Sequence, residues 1–166
     1  IVIVSPEYNH GYPGVLKNAL DYFLPQFKRT PVALVTVSGG GHGGVIAWSQ
    51  LVPVLVYMGA FVLPQTVAVS KVQDSFAPDG TAIDPVYEKR VDGMLAELAP
   101  HFHHIFLTRF TSNRALPPEQ QAAHLPAGAP PHTLTADPAQ AWEQTRRLAG
   151  PDDMICITGS VFLAGT

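Results

Sequence analysis

Apolar residues along the chain alternate between short continuous runs and stretches with helical spacing. The runs IVIVS (1–5), PVALVTVS (31–38) and FVLPQTVAV (61–69) are rich in β-branched residues, as strands buried on both faces are. Each run precedes a loop, and the segment after that loop is predicted to be helical. This order predicts an α/β fold with a mostly parallel sheet, because strands that alternate with helices usually pair in parallel.

Three helices are predicted in the first part of the chain from apolar spacing and end signals. The first runs from Pro13 to Phe23 and places its apolar residues on one face. The second runs from about Val45 to Met58, is bent at Pro53 and is stopped by Gly59. The third begins at Asp84-Pro85. Asp84 is expected to be its N-cap, and the proline in the first turn is a second signal of a helix start.

The composition changes near Pro100. All four lysines precede residue 90, whereas five of the 7 histidines and half of the 16 prolines follow residue 99. This shift predicts a boundary between two segments, residues 1–99 and residues 100–166.

The second segment is also predicted to be α/β. Strands are expected at 104–110, 133–135 and 153–165, and a helix capped by Asp137 is expected to end before Gly150. We expect these strands to extend the sheet begun by residues 1–69, giving five or six strands with helices on both faces. A separate lobe is the alternative.

Charge and length exclude several classes of partner. The chain of 166 residues has a formal net charge of −3, and its basic residues form no stripe of the kind that nucleic-acid binding needs. Its apolar runs are shorter than the ~20 residues of a membrane span. The lone Cys156 cannot form an internal disulfide, so we expect a cytoplasmic protein.

Polar and glycine-rich loops follow the first two predicted strands. Ligands of open parallel sheets bind beyond the carboxyl ends of the strands, so residues 5–12 and 38–44 are expected to be neighbours at one rim. The glycines between 39 and 44 expose the backbone, and the helix that begins near Pro13 points its positive end at the first loop. A planar, electron-rich ligand such as a flavin ring fits such a rim, with Tyr8 against the ring.

Three segments of this region resemble one family. SPEYNHGYPGVLKNALDY (5–22), VALVTVSGGGHGG (32–44) and VSKVQDSFAPDG (69–80) resemble the NADPH-dependent FMN reductases, over about residues 1–99. In that family a first strand and a phosphate loop with serine and arginine precede the matching part. The resemblance therefore implies that the first βαβα unit is missing from this chain.

The resemblance implies a three-layer, flavodoxin-like fold with FMN and NADPH as cofactors. Hydride would pass from the nicotinamide to flavin N5 without a catalytic side chain or a metal, and a homodimer would help to complete the flavin pocket. The residues carried over as cofactor-binding are Pro6, Glu7, Tyr8, Asn9, His10, Ser38, Gly39, Gly40 and Gly41.

The end of the chain resembles a different family. HIFLTRFTSNRALPPEQ (104–120) and DPAQAWEQTRRLAGPDDMICITGSVFLAG (137–165) are similar to the end of the C-terminal domain of folylpolyglutamate synthases, a Mur-ligase-type α/β unit. The nucleotide-binding P-loop of that family has no counterpart here. We therefore predict no ligase activity and interpret the chain as a hybrid of two α/β pieces joined near Pro100.

Three functions follow from these patterns. The first is a flavin-dependent reductase that passes electrons to quinones, free flavins or similar acceptors. The second is a non-catalytic hybrid or truncated α/β fragment, and the third is a ligase-related nucleotide-binding fragment. Histidines 101, 103 and 104 are interpreted as surface residues, Cys156 as a core residue, and Thr158 to Ser160 as a turn, with an anion site as the alternative.

Overall fold

The structure is a computed structural model that describes residues 1–78, 81–109, 115–151, 153 and 155. The chain divides into two units, Ile1–Leu98 and Ala99–Thr166. The boundary lies next to Pro100, where the composition changes.

The first unit is built on three parallel strands in the order β1–β2–β3. The register aligns Pro6 of β1 with Val37 of β2, and Val37 with Val69 of β3. This pairing confirms the predicted α/β class and parallel sheet. In chain order the elements are β1 (Val2–Pro6), α1 (Gly14–Leu20), β2 (Pro31–Val37), α2 (Val45–Tyr57), β3 (Phe61–Val69), α3 (Val72–Ser75) and α4 (Pro85–Leu98).

The sheet is covered on both faces. On one face Leu34 of the central strand belongs to a buried cluster with Leu51 and Leu55 of α2. Val67 is buried too, but it pairs with Val35 and therefore points to the opposite face from Leu34. Helix α4 packs against β3 and β2. Burying each such Leu or Val stabilises the fold by roughly 1.5–3 kcal/mol, which fixes the strand ends that carry the loops below.

The second unit contains a separate two-stranded sheet. Strand β4 (Ile105–Leu107) pairs in parallel with β5 (His132–Leu134), and the helices are α5 (Pro118–Ala122) and α6 (Pro138–Leu148). The Asp137 side chain accepts from the N–H of Ala139 at 2.9 Å, as predicted for a helix cap.

The expectation that the later strands extend the first sheet is wrong for the strands that the structure describes. Strand β4 already has a parallel partner within its own unit: Ile105 N donates to Pro131 O, and Thr135 N donates to Leu107 O, each at 3.0 Å. The predicted strand at 153–165, including Cys156, and the predicted turn at Thr158 to Ser160 fall outside the described residues, apart from positions 153 and 155.

Among the described residues, no helix combines the length and apolar character needed to cross a membrane.

Candidate functional site

Three loops emerge at the carboxyl edge of the first sheet. They comprise residues 7–13 after β1, 38–44 after β2 and 70–71 after β3. Backbone hydrogen bonds link the starts of the first two loops to the neighbouring strands: Glu7 N donates to Val37 O, and Ser38 N donates to Val69 O, each at 2.9 Å. The structure thus places the two predicted rim loops side by side and adds the loop after the third strand, which the sequence predicted as a loop but did not assign to the rim. We call these loops the rim.

A tight turn presents the aromatic and amide groups of the first loop. Asn9 and His10 both have positive φ, 51° and 61°, and Tyr8 and Gly11 exchange backbone hydrogen bonds at 2.9 and 3.1 Å. Two central residues with positive φ are typical of a type I′ turn, and asparagine and histidine tolerate that region better than most residues. The Tyr8 side chain is 64% exposed, so its ring is available to a ligand.

The Glu7 carboxylate lies at the N-terminus of α2. Its Oε2 accepts from the backbone N–H groups of Ile46 and Ala47, each at 3.0 Å. These partners are 39 and 40 residues away, so no local sequence signal indicated them. A second link ties the same loop to α2, because Gln50 Nε2 donates to His10 O at 2.8 Å.

The glycines of the second loop divide into two kinds. A Cβ on Gly43 would lie 2.9 Å from Ala68, and a Cβ on Gly44 would lie 2.9 Å from Thr36 Cβ, and both glycines have positive φ. A Cβ on Gly41 would meet nothing within 4 Å. Gly43 and Gly44 therefore serve close packing, whereas the backbone at Gly39 to Gly41 is open to a ligand.

Hydrogen bonds fix the open part of the glycine loop. Ser38 Oγ accepts from Gly40 N at 3.0 Å, and Gly40 O accepts from Lys71 N at 2.9 Å. The backbone N–H groups of Gly39 and Gly41 donate to no protein atom in the described part of the chain. The loop thus offers two unused donors beside exposed backbone.

The third rim loop carries a hydroxyl cluster. Ser70 Oγ and Tyr87 Oη are 3.3 Å apart, and Ser75 Oγ donates to Ser70 O at 2.7 Å. Hydrogen bonding to the Ser70 side chain, and then to Ser75, lowers the pKa of the Tyr87 phenol. Lys71 beside it is exposed and has a φ of 44°.

The rim fits a flavin ring better than a flavin phosphate. Free backbone N–H groups at Gly39 and Gly41 can donate to acceptor atoms on the edge of a flat ring, and Tyr8 offers an exposed face. Phosphate sites usually contain arginine or several donors. The three rim loops, residues 7–13, 38–44 and 70–71, contain one lysine or arginine, which is Lys71.

The second unit has an open cavity of about 330 Å³. Its walls include His104, whose Nε2 lies 2.9 Å from Thr133 Oγ1, together with Phe106 and Arg147. His101 and His103 are exposed, as interpreted from the sequence, whereas His104 is half-buried and packs against Phe106. In the part of the chain that is described, no three His, Cys, Asp or Glu residues are grouped so that they could hold a metal ion.

Part of the first unit is similar to known proteins. Residues 1–74 match the NADPH-dependent FMN reductase family, and these residues include the first two rim loops. The chain is 39% identical over 87 residues to an NAD(P)H-dependent FMN reductase of Schizosaccharomyces pombe, covering 52% of this chain and 42% of the relative. It is 42% identical over 67 residues to a quinone reductase of Escherichia coli K12, covering 38% of this chain and 36% of the relative.

A solved structure supports the fold. FerB, a flavoenzyme NAD(P)H:(acceptor) oxidoreductase from Paracoccus denitrificans, is similar with a TM-score of 0.50 and 27% identity. The match covers 58% of this chain and 57% of FerB. The chain thus spans less than half of the two curated relatives and somewhat more than half of FerB.

Proposed function

We propose that the protein is an NAD(P)H-dependent flavin reductase of the quinone-reductase type, with FMN and NADPH as its cofactors. One observation carries this proposal: the open donors at Gly39 and Gly41 and the exposed Tyr8 turn belong to loops that follow two paired strands at the same sheet edge, within the residues that match the reductase family. When bound, FMN supplies a ring that accepts hydride at N5 and passes two electrons to an acceptor. The net reaction oxidises NADPH and reduces a quinone or a free flavin.

The chain's own residues bind and orient the ring. Pro6 to His10 would border one side, with Tyr8 against the ring face, and Ser38 to Gly41 would close the neighbouring side through backbone N–H groups. Donors held in place before the reaction cost no reorganisation when negative charge develops on the bound ring. No side-chain acid is assigned.

A purified sample tests this proposal directly. NADPH oxidation would be followed with added FMN, with and without a benzoquinone acceptor. We expect oxidation that depends on FMN and is accelerated by the quinone. Absence of turnover at any FMN concentration would reject the reductase and favour the second candidate, a non-catalytic α/β hybrid, for which the single cation of the rim segments is the supporting observation.

We also propose that the protein is a hybrid chain, a homodimer and cytoplasmic. The resemblance of residues 104–165 to folylpolyglutamate synthases supports a hybrid chain, with no ligase activity assigned. Exposed Tyr22 and Tyr57 on the first unit favour a homodimer, since large exposed apolar side chains are common at interfaces. A cytoplasmic location accords with the lone cysteine. Light scattering at the mass of a monomer would reject the dimer.

A further inference from the structure

Glu7 lies within the segment expected to border the flavin ring, yet its carboxylate is bound elsewhere. Oε2 accepts from Ile46 N and Ala47 N, each at 3.0 Å. The side chain therefore joins the first rim loop to the start of α2, across about forty residues of sequence.

Helix α2 has no cap of its own. Gly44 occupies the N-cap position with a φ of 79° and has no side chain to accept from the first turn. The first N–H groups of a helix lack partners within the helix, and a carboxylate there also complements the helix dipole. Glu7, which belongs to another loop, supplies both the acceptor for these N–H groups and the negative charge.

The start of α2 is also the end of the glycine loop. Gly43 and Gly44 are packed against β3 and β2, and Thr36 Oγ1 donates to Gly43 O at 2.7 Å. Fixing Ile46 and Ala47 to Glu7 therefore fixes the distance between the Tyr8 turn and the loop that ends at Gly44.

We propose that Glu7 is a positioning residue that sets the spacing between the two ring-binding loops, and that it does not bind the ring through its charge. This inference rests on the proposed function. Flavin affinity should then depend on the reach of the Glu7 side chain and on one acceptor oxygen, and much less on its negative charge.

Three substitutions separate reach from charge. A single oxygen accepts both hydrogen bonds, so the amide oxygen of E7Q can replace it without a charge. E7D keeps the charge but is one methylene shorter, and E7A removes the acceptor. D84A is the matched control, because Asp84 Oδ1 accepts from Val86 N at 2.9 Å and caps α4, a bond that joins neither of the two loops.

The experiment titrates riboflavin, which has no phosphate, and measures amide exchange at Ile46 and Ala47 in the flavin-free protein. We expect E7A and E7D to weaken riboflavin binding by about tenfold and to speed exchange at both amides. E7Q should recover affinity to within about threefold of wild type, because it retains both bonds without charge assistance. D84A should lower the melting temperature but leave riboflavin affinity within about twofold.

Three results decide the matter. Equal loss of riboflavin affinity in E7Q and E7A would overturn the inference and assign the charge to the ring. An equal loss in D84A would overturn it by showing a general effect of stability. If wild-type protein binds no riboflavin, the proposed function fails, and exchange alone decides: faster exchange in E7A but not E7Q supports the link, whereas unchanged exchange in E7A overturns it.

Discussion

At the scale of single residues, glycines of the same loop serve different purposes at the rim. The sequence indicated that all the glycines between 39 and 44 expose backbone to a ligand. In the structure the backbone is exposed at Gly39, Gly40 and Gly41, whereas Gly43 and Gly44 are buried, and a Cβ on either would lie 2.9 Å from Ala68 or Thr36. Glycine content alone does not separate the two kinds, but the family resemblance carried over Gly39 to Gly41 and neither Gly43 nor Gly44.

Replacing Gly44 by alanine should destabilise the protein strongly. The new Cβ would lie 2.9 Å from Thr36 Cβ on a backbone with a φ of 79°, so the fold loses about 1–3 kcal/mol of unfolding free energy. G41A is the control and should change it by less than about 1 kcal/mol, because its Cβ meets nothing within 4 Å. Urea unfolding measures both. Similar losses for the two variants would contradict this division of the glycines.

Tyr8 should contribute to flavin binding through its exposed ring. Y8A is expected to weaken riboflavin binding about fivefold, or ~1 kcal/mol, by removing an aromatic contact. F61A is the control, since Phe61 is 61% exposed and is the first residue of β3, at the opposite end of that strand from the rim. Fluorescence titration of riboflavin compares them. An equal effect of both substitutions would remove Tyr8 from the site.

The Tyr87 phenol should titrate at a lower pH than an unperturbed tyrosine. Hydrogen bonding with the Ser70 side chain, and then with Ser75, lowers its pKa from the usual value near 10. Because the folded pKa is the lower one, its contribution to stability is full above about pH 10 and is lost as the pH falls through the lowered pKa. The component of the tyrosinate absorbance that is lost in Y87F should therefore have its midpoint below the usual tyrosine value, and S70A should move that midpoint to higher pH. A midpoint that S70A leaves unchanged would refute this.

At the scale of elements, local patterns predicted much of the first unit. The runs at 1–5, 31–38 and 61–69 form β1 to β3, and Asp84 caps α4 through Val86 N as expected. Helix α1 ends at Leu20, before the predicted Phe23, because Tyr22 N and Phe23 N donate to carbonyls three residues back and Pro25 follows.

Contacts between distant segments were not predictable in the same way. Three such contacts join residues far apart in sequence. They are the Glu7 link to α2, the bond from Lys71 N after β3 to Gly40 O, and the pairing of β4 with β5. Hydrophobic periodicity reports which face of an element is buried, but it does not report which partner covers that face.

The rim loops predict little preference for FMN over riboflavin. Each charge-assisted bond to a phosphate is worth roughly 1.5–3 kcal/mol, and Lys71 is the single lysine or arginine of the rim segments. We expect less than about a tenfold difference in affinity, or under ~1.4 kcal/mol. Parallel titrations with the two flavins measure it. A strong preference for FMN would show that another part of the protein supplies a phosphate site.

At the scale of the whole molecule, the chain consists of two α/β units with separate sheets in the described residues. The change in composition near Pro100 indicated the boundary, but apolar runs alone could not tell whether the later strands would join the first sheet. Strand partners depend on which edges are free in three dimensions, and β4 pairs with β5 inside its own unit.

We propose that the rim of the first unit binds the flavin ring through the backbone of the glycine loop. The test is to record the backbone amide resonances of the protein while FMN is added. We predict saturable shifts at Gly39 and Gly41 and at the Tyr8 turn, with the residues around the cavity of the second unit unchanged. Shifts confined to His104, Phe106 and Arg147, or no shifts at millimolar FMN, would contradict it.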